Sequence, residues 1–261
     1  MIRMMKYLQV AKIIWTEAFI HRVRALIWTM IDVSWLFVMP LLWLSAARSD
    51  PFYSNARMVF YYFLNGIIGM LTIAYVHYDL KNDIHSGLFT NTLLKPVSQL
   101  WYRFSEHVSY KLFRVAIITP FLILFWYIFH PDTSLLRGGS LLFIIVLALG
   151  ALLTFFMSYL IGLLGLFVED SGPINAAYNL LLAFFSGEVA PIALFSPFMQ
   201  GIALHLPFYF TLGFPVDVLL GNGPVTLGNG ILWQLVWIAM AYVVIKIVWR
   251  MGIKRWQGHG R

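Results

Sequence analysis

The sequence predicts an all-α integral membrane protein: six transmembrane helices, an N-terminal interfacial amphipathic helix, and re-entrant helices before the last span. Three observations carry this. Hydrophobic residues fill 61% of 261 positions and charged residues only 11%, less than half the charge of a typical soluble domain, so lipid must be part of the solvent. The apolar residues fall in long runs separated by short polar connections. The basic residues, finally, concentrate on alternate connections, as they do where those connections face the cytoplasm.

Residues 1–24 form the first element, in which Met4, Tyr7, Leu8, Ala11, Ile14, Trp15, Ala18 and Phe19 share one helical face. Lys6, Gln9, Lys12, Thr16, Glu17 and Arg24 occupy the other, the pattern of a helix lying in the membrane interface. Spans are expected at 25–46, 58–78, 108–129, 140–168, 173–187 and 229–249. At about 20 residues per span they use roughly half the chain, which reads as one transmembrane domain, 1–261, without a separate soluble catalytic domain.

Charge sets the orientation. Arg3, Lys6, Lys12, Arg22 and Arg24 precede the first span; Lys81, Lys95, Arg103, Lys111 and Arg114 surround the second connection. Lys246, Arg250, Lys254, Arg255 and Arg261 lie at or after the last span. Only Arg48, Arg57 and Arg137 remain for the other side, so both termini are expected in the cytoplasm. The net charge of +7 does not point to nucleic acid, because the basic residues sit at the ends of apolar runs rather than on a soluble face.

Motifs for chemistry are sparse. There is no cysteine, no GxxxxGK[ST] loop and no HExxH, and the seven histidines lack metal-ligand spacing. The chain is therefore expected to bind no metal or cofactor and not to hydrolyse ATP itself. Asp79 and Asp83 make one DxxxD, which reads as a solvated helix end. Enzymes that hold magnesium and diphosphate in the membrane pair two such motifs. Ionisable groups within spans are functional candidates, and Asp32 is the clearest, facing a lumen or paired with a group such as Arg24. Asn65, Asn175, Tyr178 and Asn179 are polar enough to line a path, or to serve as hydrogen-bonding glue between helices. Gly66, Gly69, Ser158, Gly162 and Gly165 read as close-packing positions.

Two connections stand out. Residues 82–104 hold a short amphipathic piece punctuated by His85, Ser86 and Gly87 and broken at Lys95-Pro96. With Leu88, Phe89, Leu93 and Leu94 outward, such an element needs something to dock on. Residues 188–224 carry Glu188 and Asp217, no Lys or Arg, and a run of breakers including Pro191, Pro197, Pro207 and Pro215. Their apolar pieces are too short to span, which suits helices that enter the membrane and return, buried against protein; two thin spans are the alternative.

In this order of parts the chain resembles the membrane subunit of an ABC-2 type (type V) ABC exporter, over essentially its whole length. Leu93-Leu94-Lys95-Pro96-Val97-Ser98, Leu206-Pro207-Phe208, Phe214-Pro215-Val216 and Leu219-Leu220-Gly221 are similar to a bacterial branch described as ABC-2 family transporter proteins. So is the tail Trp249-Arg250-Met251-Gly252-Ile253-Lys254-Arg255-Trp256-Gln257.

The resemblance implies a permease in the bacterial cytoplasmic (inner) membrane, paired with a second permease chain, identical or related. Two copies of a separate ATP-binding subunit would carry ATP and magnesium. It implies that His85, Ser86, Gly87, Leu88, Phe89, Leu93 and Leu94 couple to that subunit. Asp32, Asn65, Asn175, Tyr178 and Asn179 would belong to the translocation path, and Glu188 and Pro191 to an outer gate. The low charge of the path favours an apolar or amphipathic substrate. The competing readings are an ion-coupled secondary transporter, which calls for internal repeats, and a membrane enzyme acting on lipid-linked substrates.

Overall fold

A computed structural model of the chain describes residues 22–46, 54–95, 97–137, 141–221 and 223–256. The interfacial helix expected at 1–24 lies almost wholly outside them. All regular structure among the described residues is helical: α1 (Arg22–Ala46), α2 (Asn55–Thr72), α3 (Val76–His85), α4 (Phe89–Leu93), α5 (Gln99–Phe129), α6 (Leu141–Leu163), α7 (Gly172–Phe185), α8 (Pro197–His205), α9 (Gly213–Leu220) and α10 (Leu227–Arg255), with single 3-10 turns between some of them.

Among the described residues, four stretches are long and apolar enough to cross a membrane: Asn55–His85, Gln99–Phe129, Leu141–Leu166 and Leu227–Arg255. Three of them are longer than the expected spans, and Leu141–Leu166 falls within the expected 140–168. The second takes in α2 and α3 with a break at residues 73–75, and α5 starts at Gln99, so Lys111 and Arg114 lie well inside a helix rather than at its start. The expected fifth span is α7, whose 14 residues rise only about 21 Å, short of the ~30 Å hydrocarbon core.

Helix α6 organises the bundle. It packs along α10 and α3 and also touches α2, α7 and α9. At the end that carries α4, the core comprises Leu80, Ile84, Phe89, Phe155, Tyr159, Leu163 and Ile245. At the other end Met58, Tyr61, Ile68, Leu212 and Val216 pack together, beside a third cluster of Val146, Leu153, Tyr209, Phe210 and Phe214. The outward faces of the long helices stay apolar: Ile123 and Tyr127 on α5, Ile144 on α6, and Leu232 and Val243 on α10 are all exposed. Acyl chains, not water, suit such a surface.

Several glycines permit close approach. A methyl group on Gly66 would lie 2.5 Å from Leu36 Cδ1, bringing α2 against α1, and one on Gly162 would lie 2.9 Å from Leu80 Cβ. Ser158 plays a different part: its hydroxyl accepts from the His77 backbone N–H at 3.1 Å.

Candidate functional site

Three features hold the polar chemistry. The first is the α3–α4 connection. Phe89, the first residue of α4, is fully buried, its ring edge-on to Trp256 at 5.3 Å and to Trp249 at 6.1 Å. Trp256 Nε1 also donates to Thr90 Oγ1. The connection is thereby pinned to the end of α10. The expectation that four apolar side chains face outward is corrected in part: Leu88 and Leu94 are exposed, Leu93 is half-buried and Phe89 is the anchor. A five-residue helix cannot hold itself in water, so it needs one large ring in the protein to fix its position.

Around this element, His85 ends α3, Ser86 caps it through its hydroxyl to Asn82 O, and Gly87 turns with φ +75°. Asp83 pairs with Arg103, which also reaches Glu106. No cluster able to hold a metal ion occurs among the described residues. Nearby, Lys81 Nζ and Asp170 Oδ1 meet at 2.9 Å. The Lys81 hydrogen bond, then the Gly172 N–H, hold the exposed Asp170 carboxyl below the usual carboxylate range.

The second feature is a cleft of about 170 Å³ between α1, α2 and α5. Trp35, Leu36 and Met39 of α1 line it, with Tyr62, Asn65 and Met70 of α2 opposite. Tyr75, Tyr78 and Ile118 continue the apolar wall, and Arg114 and Glu188 are its charged groups. The Arg114 guanidinium stands 5.6 Å from the centre of the Tyr75 ring, a cation–π arrangement. Asn65 is committed on its amide side, donating to Gly187 O at 3.0 Å. Asp32 lies on α1, but its side chain falls outside the described residues.

The third feature is α7. Asn175 and Tyr178 are buried, with Tyr178 edge-on to His77 at 5.1 Å, and neither lines the cleft. Asn179 donates to Tyr78 Oη at 2.7 Å. The polar face of α7 therefore meets α3. Past its end, the backbone turns at Gly187 (φ +88°), and Val189 O accepts from Trp43 Nε1 and Tyr62 Oη. Glu188 sits between these two tethered carbonyls, and Pro191, buried, opens the 3-10 turn Ile192–Leu194.

Reading the residues alone missed Lys111. Its ammonium donates to Met70 O at 3.0 Å and Ile73 O at 2.9 Å, at the break between α2 and α3. Residues 70–78 contain no Gly or Pro, so nothing local announces the break. Tyr61, Tyr62 and Trp43 were also unmarked, because an aromatic residue in an apolar run looks like core.

Residues 36–260 match the family described as ABC-2 family transporter protein. Among curated proteins, none matches the chain.

Proposed function

The chain belongs to the ABC-2 family of transporter proteins and is a multi-pass ABC transporter permease, and from that premise we propose that it is the permease of an ATP-driven exporter. Family membership implies an ATP-binding partner in general. On our reading two such subunits dock beneath a pair of permease chains, identical or related, in the bacterial cytoplasmic membrane, with both termini on the cytoplasmic side.

In this reading the chain crosses six times, α1 and α7 supplying the first and fifth spans, and residues 188–224 re-enter the membrane from the outer side. The tethering of 187–189 to Tyr61, Tyr62 and Asn65, well inside the second span, supports that course. So does the shortness of α7. The cleft between α1, α2 and α5, lined by Asn65, belongs to the translocation path, to which we also assign Asp32, Asn175, Tyr178 and Asn179 from the family resemblance. Glu188 and Pro191 form the gate. The aromatic and aliphatic lining favours an apolar or amphipathic substrate.

One observation carries the coupling assignment: a short helix anchored to the bundle by Phe89 presents Leu88 and Leu94 to solvent. Apolar side chains held out by an anchored element have a partner to meet. His85, Ser86, Gly87 and Leu93 shape that element. Affinity purification in mild detergent followed by an ATP hydrolysis assay tests the proposal. An ATP-binding protein is expected to co-purify, and Leu88→Asp or Leu94→Asp to release it. Purification of an active transporter with no ATP-binding partner would refute the reading.

A further inference from the structure

The second span is broken in a way that the local sequence does not explain. Ile73 is extended (φ −61°, ψ 132°), and α3 resumes only at Val76. In an unbroken α-helix the N–H of residue 74 donates to the carbonyl of 70, and that of residue 77 to the carbonyl of 73. Those two carbonyls are the ones Lys111 occupies. The matching donor at His77 is occupied as well, by Ser158 Oγ of α6. Side chains of two other helices thus take over the partners of the helical hydrogen bonds 74→70 and 77→73.

Such a substitution matters at this depth. Ala74 and His77 are fully buried, Met70 and Ile73 half-buried, and a carbonyl shielded from water and left without a partner costs free energy. While Lys111 is present the break is satisfied; without it, the two carbonyls regain partners by closing the helix. The break separates two working parts: α2 carries most of the cleft lining of this span, Asn65 and Met70 included, while α3, which adds Tyr78 to the cleft, leads into the anchored α4.

We propose that Lys111 is a positioning residue for transport: with Ser158 it holds the second span open at Ile73–Tyr75, so that the cleft-bearing and coupling-bearing halves move as separate bodies. The inference rests on the permease reading above.

Amide hydrogen exchange on the full chain, purified with its co-expressed ATP-binding subunit, tests it together with ATP hydrolysis. In Lys111→Met, exchange across 74–77 is expected to slow roughly tenfold as the helix closes, and hydrolysis to fall at least roughly fivefold, the low end of an ordinary coupling. Lys111→Arg keeps donors in place and should stay near the unaltered protein on both readouts. Ala74→Pro removes the N–H that would reclaim Met70 O, and the extended Ile73 suits a residue before proline. Lys111→Met/Ala74→Pro is therefore expected to regain fast exchange and hydrolysis.

Exchange in Lys111→Met that is unchanged or faster overturns the proposal, as does slowed exchange with unaltered hydrolysis. If Lys111→Met fails to assemble, the double variant decides: recovery supports the hinge, and no recovery overturns it. Exchange is read on this chain whether or not an ATP-binding protein accompanies it. A wild-type preparation without such a partner would therefore sink the permease reading while leaving the hinge to be judged by exchange alone.

Discussion

Gly187 shows how much one backbone position does here. Its φ of +88° is a conformation L side chains rarely adopt, and a Cβ there would lie 2.7 Å from Tyr61 Oη. Its carbonyl accepts from Tyr61 Oη at 2.6 Å and Asn65 Nδ2 at 3.0 Å. Gly187→Ala is expected to cost about 3 kcal/mol through strain and displacement, and Tyr61→Phe about 1 kcal/mol, because Asn65 still serves the carbonyl. Thermal unfolding in detergent separates the two. Gly230 is constrained by packing alone: a methyl group would overlap the Phe214 ring, so Gly230→Ala should cost about 1–3 kcal/mol by the same assay. The packing role of Gly66 and Gly162 was legible in the sequence, since small residues on apolar helices bring backbones together. That of Gly230 was not, because the ring it meets comes from α9. At Asp170 the sign of the pH effect is set by its depressed pKa. The contribution is present above the unfolded carboxylate pKa, about 3.9, and is lost as pH falls through the lower folded value. Asp170→Asn should therefore flatten the acid limb of an unfolding-against-pH curve by slightly lowering stability at neutral pH, while leaving it nearly unchanged below the folded pKa.

At the scale of elements, α4 is the most informative. Five residues do not make a stable helix, and its position is owed to Phe89 between Trp249 and Trp256. Phe89→Ala is expected to cost about 3 kcal/mol of local packing, and to make the chain sensitive to chymotrypsin at the exposed Leu94 without unfolding the bundle. Leu88→Asp, at an exposed site, should leave that protease pattern unchanged while weakening association with an ATP-binding partner. The contrast separates anchor from contact. From the sequence both residues belong to one apolar group, because a one-turn helix has too few residues for periodicity to tell its two faces apart. The same limit applied to α7: Asn175, Tyr178 and Asn179 were recognisable as polar residues in an apolar helix. Whether they face a path or another helix depended on where α3 places His77 and Tyr78.

At the scale of the molecule, the expected course of the chain can be tested by labelling, since the protein has no native cysteine. Cysteine introduced at exposed Ser134 should react with a membrane-impermeant reagent from outside intact cells, and one at exposed Asn91 only after permeabilisation. Labelling of both from the same side would overturn the proposed arrangement. The membrane class and the all-helical fold were decided by the sequence itself: hydropathy is a sum over residues, and only helices or closed barrels can satisfy backbone polar groups in lipid. The family resemblance was equally a property of local strings in their order. Tertiary structure alone decided that the second span is broken at 73–75, that Lys111 serves that break, that Phe89 is an anchor, and that the Gly187 carbonyl past the end of α7 is tethered to Tyr61. Each of these depends on a partner distant in the chain: Lys111 for Met70 and Ile73, Trp256 for Phe89, Tyr61 for Gly187. Local patterns register where apolar surface lies, but a hydrogen bond between helices exists only once packing brings donor and acceptor within 3 Å or so of each other.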